Sequence, residues 1–223
     1  MTVPVLHLAD EGEAADLVAF LSRLLHYDRA AAVRLQAAGT ALAVFGRPPS
    51  FEVLAIRAAR LAKPYENGLD VSLDVTVSAG ELLESVDGTA ATAAVPGAVT
   101  GPPWAGVLPP RGGWRAEPGL PQPQALRGLV AASVAEFRSR TEELPPERRT
   151  RAELDRIGRD IWSRTVAETA LPVRAVHAAQ SLGFLRGGDL GLFSSGAWLR
   201  LRTPYGSVAV RRAGLGALGI SVR

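Results

Sequence analysis

The side chains best suited to chemistry in this sequence are arginines, and they crowd one end. Residues 171–223 hold Arg174, Arg186, Arg200, Arg202, Arg211, Arg212 and Arg223 against a single acid, Asp189. Guanidinium groups displace counterions from phosphate, so such an excess suits a polyanionic partner. Spacing sharpens this. Trp198, Arg200 and Arg202 alternate with Leu199 and Leu201, which puts the first three on one face of a strand, and Arg211 and Arg212 end its partner strand. Arg174, His177 and Ser181 stand at i, i+3 and i+7, one polar helix face, with Val173 and Val176 turned inward. These seven residues, Arg174, His177, Ser181, Arg200, Arg202, Arg211 and Arg212, are the expected nucleic-acid contacts. Lys63 is the sole lysine, a bias that GC-rich coding would also produce, so the choice of Arg over Lys carries no argument by itself.

Other constellations fail on physical grounds. Gly214, Gly216 and Gly219 spell GxGxxG, but only four residues follow, and the motif needs a helix whose N-terminal amides face a pyrophosphate. His7, His26 and His177 lack metal-ligand spacing, and with no cysteine there is no thiolate site, disulfide or thiol nucleophile. Asp70 and Asp74 share the wet face of one strand, but four rises place them about 13 Å apart, too far for a paired-carboxylate mechanism. Ser194-Ser195-Gly196 reads as a turn. No catalytic residue, cofactor or metal is expected.

The elements that must position the arginines follow from the rest of the chain. Its 223 residues are 47% hydrophobic and 21% charged, a balance that folds around a core. The net charge of +3 conceals a contrast: 7 basic and 12 acidic residues in 1–95, 18 and 10 in 96–223. No run reaches the roughly 18–20 apolar residues of a membrane helix, and the first residues show no secretion signal. The expected location is cytoplasmic, without membrane contact. Residues 1–95 read as an α/β meander domain. Asp10 with Glu13 caps a helix over 11–26, a hairpin follows across Gly39-Thr40, Phe51–Arg57 is a third strand, Val71–Val77 a fourth, and Ser78 with Glu81 opens a second helix. Residues 96–123 form a connecting segment in which, from about Val95, half of the 16 prolines cluster; Trp104 and Trp114 are expected to anchor it on a domain surface. Residues 124–223 read as two helices, the second capped by Thr150 with Glu153, a short helix over Val173–Leu182, and strands at Leu190–Phe193, Trp198–Arg202 and Val208–Arg211.

The fold class expected is therefore α+β. It has an N-terminal antiparallel meander with packed helices and a C-terminal helical unit ending in a small antiparallel sheet. Over roughly residues 124–212 the order helix, helix, short helix, hairpin resembles a winged helix, which implies a recognition helix at 173–182 and a wing at the hairpin, with DNA as partner. The Ala/Arg/Gly-rich composition, the Leu6-His7-Leu8-Ala9-Asp10-Glu11-Gly12 opening and the proline-rich centre resemble two-domain cytoplasmic proteins of unknown function from actinobacteria. Two roles are open: a DNA-associated regulatory or accessory protein, or a protein-binding adaptor or dimeric scaffold. The adaptor would use its acidic N-terminal sheet face on a partner, on a second copy, or against its own basic half.

Overall fold

The computed structural model of the chain describes residues 3–212. Strand β1 (Val5–His7) leads into helix α1 (Glu11–Tyr27), whose first turn is closed by the Asp10 carboxylate accepting from the Glu13 amide at 2.9 Å. Leu17, Phe20, Leu21 and Leu24 recur at helical spacing and are buried. Strands β2 (Ala32–Ala38) and β3 (Ala41–Gly46) form a hairpin through Gly39, at φ +57°, where a side chain would be strained. β4 (Leu54–Arg60) and β5 (Ser72–Ser78) complete the meander, and Ser78 caps α2 (Ala79–Glu84). β6 (Val86–Asp87) and β7 (Thr92–Ala94) join β1 in a small sheet of order β1-β7-β6.

The proline-rich segment ends in β8 (Arg115–Glu117). Then come α3 (Pro123–Glu142), α4 (Arg151–Ser163), capped by Thr150, and α5 (Val173–Ser181). Strands β9 (Gly191–Ser195), β10 (Trp198–Thr203) and β11 (Gly206–Arg211) close the described chain. The tight turn into β11 depends on Gly206, at φ +155°, where an added Cβ would stand 2.6 Å from the Phe184 ring.

These strands do not form a separate unit. The large sheet has eight antiparallel strands in the order β5-β2-β3-β4-β11-β10-β9-β8, joined across the middle by Ile56↔Ser207, Ala55↔Val208 and Leu54↔Ala209. The expected C-terminal winged-helix-like unit is thereby overturned: its hairpin belongs to a sheet shared with the N-terminal meander. The physical reason lies in β4 and β11. Leu54–Arg57 and Ser207–Val210 are buried at every position, as central strands covered on both faces must be. The expected recognition helix fails for a related reason. Val173, Ala175, Val176, Ala178 and Ala179 of α5 are all buried, and the helix packs on β11 and against α3 and α4 rather than standing out from a separate unit.

The inner face of the sheet carries one continuous core. Val33, Leu35, Leu42, Val44 and Ala55 meet Leu192, Leu199, Leu201, Val208 and Val210 beneath α1 and α5. Phe20 of α1 stacks on Phe184, just past α5, at 5.8 Å between ring centroids. Burying such a side chain contributes roughly 1.5–3 kcal/mol, so the seam between the halves is held much as each half is. Arg57 adds a polar fastening: from β4 it donates to Glu13 (3.0 Å) and Asp16 (3.1 Å) of α1 and to the Tyr205 carbonyl (2.9 Å) of the β10–β11 turn. The arrangement is used twice, helix α1 before β2-β3-β4 and helix α5 before β9-β10-β11, with the two last strands paired at the centre. Among the described residues no helix is long and apolar enough to cross a membrane.

Candidate anion-binding face

The outer face of the sheet, opposite the helices, is crossed by a strap made of residues 96–114. It leaves the β5 edge where the Val99 amide donates to Thr76 (2.9 Å) and arrives at β9, where Arg115 pairs with Ser194. Between those points Trp104 and Leu108 cover a small apolar cluster of Phe45, Leu54, Ile56 and Ala209, against which Trp198 also packs. The Trp114 indole donates to the Pro110 carbonyl (3.0 Å), folding the strap back on itself.

Alternation along β10 puts Trp198, Arg200 and Arg202 on this outer face, and register puts Arg211 beside Trp198. Each of these three arginines lies near an aromatic ring: Arg200 5.7 Å from Trp114, Arg202 5.8 Å from Phe193, Arg211 5.3 Å from Trp198. Among the described residues none of the three has a carboxylate within the 4.0 Å of an ion pair, whereas Arg174, Arg186 and Arg212 do. Arg200 is half-buried, and its Nε donates to the Ser207 hydroxyl at 2.9 Å. Burial first, and the like charge of Arg202 second, draw its pKa below the ordinary arginine value.

The other expected contacts lie elsewhere. Arg174 is on the helix side of the sheet, 4.0 Å from Glu52. His177 stacks on Trp162 at 4.6 Å and meets Phe51 edge-on at 5.0 Å, and burial lowers its pKa. Ser181, at the end of α5, borders a hollow with Ser22, Arg23, His26 and Tyr27 of α1. Arg212 pairs with Glu117 at 3.2 Å. The Ser194 hydroxyl donates to the same carboxylate, which with the Arg212 charge holds Glu117 below the usual range. The structure thus gathers Arg200, Arg202 and Arg211 and leaves Arg174, His177, Ser181 and Arg212 apart. The glycines of the GxGxxG and Arg223 lie outside the described residues.

The acidic face of the meander is occupied within its own half. Asp74 accepts from Arg34 Nε at 2.7 Å and Nη2 at 2.9 Å, and from Gln36 at 3.0 Å. The Arg34 bonds hold its carboxyl below the usual carboxylate range. Asp70 sits in a turn with its backbone paired to Asn67. Among the described residues no group of three or more His, Asp or Glu is arranged to hold a metal.

Two contributors escape pattern reading. Ser207 aims Arg200 from the partner strand, and Arg111 reaches the face from the strap, where prolines erase any periodicity. On one side of Arg200 a groove of about 270 Å³ runs over Ala43, Ala58, Phe45 and Ile56 beside Pro109 and Pro110. On the other side is a hollow of about 380 Å³ that includes Arg202, Thr203, Ser207 and Asp189. Across the strap a wider hollow of about 620 Å³ brings Arg47 and Asp28, one charge of each sign.

Comparison with known proteins divides the chain within the strap. Residues 1–106 match a domain of unknown function, DUF8010, and residues 109–215 match a second, DUF8185. No curated protein matches. The chain is thus a two-domain protein, similar to DUF8010 in its first half and to DUF8185 in its second, and each half contributes four strands to the one sheet.

Proposed function

We propose that this is a non-enzymatic, DNA-associated binding protein whose outer sheet face contacts phosphates through Arg200, Arg202 and Arg211. One observation carries the reading: three guanidiniums share a face, lie beside aromatic rings, and have no carboxylate of their own among the described residues. Cations left unpaired in the folded chain keep their full attraction for an external polyanion. The non-enzymatic part rests on the acid and base candidates being engaged, Asp74 by Arg34 and Gln36, and His177 between two aromatic rings. A cytoplasmic location goes with this role, the compartment of the actinobacterial proteins that the chain resembles.

Three phosphate contacts give a slope of log affinity against log salt of about −3 on duplex DNA. Replacing Arg200, Arg202 and Arg211 with Ala in the full chain flattens that slope nearly to zero, while Arg174→Ala leaves it unchanged. A slope unmoved by the triple substitution refutes the reading. The second reading, a protein-binding adaptor, draws on Leu69 and Val71, which are exposed at the entrance to β5, an edge strand of the large sheet. A chain that ignores DNA but is held by a protein partner, and released by Leu69→Ser with Val71→Ser, favours the adaptor.

A further inference from the structure

The outer face holds a second kind of site, built for a molecule much smaller than a nucleic acid. At one end of the outer face the outward positions of β2, β3 and β4 are small: Ala38 stands opposite Ala41, and Ala43 opposite Ala58. A sheet face normally carries side chains at that height, so paired alanines leave a trough. Phe45 and Ile56 close the trough toward the strap, and Pro109 with Pro110 forms its wall. The alanines and prolines offer an apolar surface, and Gln36 also lines the trough.

Two guanidiniums line this trough, Arg111 from the strap and Arg200 from β10. Arg200 lines both the groove and the adjoining hollow. Its Nε is tied to Ser207, which fixes the direction of the guanidinium. Among the described residues no acceptor takes its two Nη groups, and no carboxylate pairs with it. Two parallel N–H donors match the two oxygens of a carboxylate. A phosphate dianion is the poorer match, because Asp189 lines the hollow on the far side of Arg200.

We propose that the groove between the strap and strands β3–β4 binds a small organic carboxylate, its charged end on the Arg200 guanidinium and its apolar body on Ala43 and Ala58. This shares Arg200 with the nucleic-acid reading but does not depend on it, since the alanine trough belongs to the carboxylate site alone and Arg211 takes no part.

The test uses the full chain with decanoate and 4-phenylbutyrate as probes and 4-phenyl-1-butanol as the uncharged control, followed by methyl resonances of the alanines and by calorimetry. At least one carboxylate saturates with a Kd below about 1 mM and shifts the Ala43 and Ala58 methyls, and the alcohol binds at least about tenfold more weakly. Arg200→Gln weakens the carboxylate by about tenfold or more, and Ala58→Leu, which fills the trough without touching charge, does the same. Arg211→Ala leaves it unchanged while reducing the salt slope on DNA, so the two readings fail separately. The proposal is overturned if neither carboxylate saturates, if the alcohol binds equally well, or if Ala58→Leu has no effect; should Arg200→Gln not fold, Ala58→Leu alone decides.

Discussion

Arg34 and Arg200 stand on the same face of one sheet, in opposite halves, and serve opposite ends. Every nitrogen of the Arg34 guanidinium is spent: Nε and Nη2 grip Asp74, and Nη1 donates to the Ala105 carbonyl of the strap. Its pKa is raised, chiefly by the bond to Asp74. Arg200 has Ser207 and an indole for company, and burial lowers its pKa. An arginine with its carboxylate at hand fastens the fold, and one denied a carboxylate is left to act on something else. The charge contrast between residues 1–95 and 96–223 is realised in part this way: most paired acids of the first half meet its own arginines, Glu52 and Asp16 also meet Arg174 and Arg186 of the second, and Arg200, Arg202 and Arg211 are left over.

The largest effect that could break this comparison is at the seam. Val208→Asp places a charge in the core between β4 and β10 and costs about 4 kcal/mol or more. Calorimetry should show the wild type melting in one transition and the variant losing both halves together; a surviving N-terminal transition would mean that the halves fold independently. Next is Arg57→Met, which strips Glu13 and Asp16 of a buried partner and costs about 3 kcal/mol in denaturant titrations. Arg34→Ala, at a partly exposed pair, costs about 1 kcal/mol. Arg200→Ala stays within about 0.5 kcal/mol of wild type, because the residue fastens little. If Arg34→Ala and Arg200→Ala prove equally costly, the division of labour is wrong.

A pH series sharpens the same contrast through the contact between His177 of one half and Phe51 of the other. Burial holds the imidazole below its usual value of about 6.5, so just under that pH the unfolded chain binds a proton that the folded chain does not. Stability is complete above this window and declines as pH falls through it. His177→Phe keeps an aromatic ring in the stack and removes that part of the decline, which thermal melts between neutral and mildly acidic pH would register.

Much of the local structure was legible because its signals are short-range. The pairs Asp10 with Glu13, Ser78 with Glu81 and Thr150 with Glu153 mark helix starts, and each cap bond is present. Alternation from Leu73 to Val77 and from Trp198 to Arg202 assigned the correct faces, whereas Val71, expected to be buried, is exposed ahead of β5, and Asp70 lies in the preceding turn. Strands β1, β6, β7 and β8 are two or three residues long, too short to show a period. The union of the halves left only an indirect trace, the unbroken runs Leu54-Ala55-Ile56 and Val208-Ala209-Val210, which mark burial on both faces but not the partner. The polar face of α5 misled for a different reason. Ala175, Ala178 and Ala179 are small enough to admit α3 and α4 from the other sides, so a helix with two inward valines became enclosed on nearly all sides.

The strap has a consequence for how this polypeptide could be divided. The border between the two family matches falls at residues 107–108, yet the strands on either side of that border are bonded to one another across Leu54–Ile56 and Ser207–Ala209. Severing the chain there would remove no strand neighbour and uncover no part of the shared core. Residues 1–107 and 108–223, produced as separate molecules, should therefore find each other and rebuild the eight-stranded layer, so that the covalent link serves mainly to keep the pieces at high local concentration.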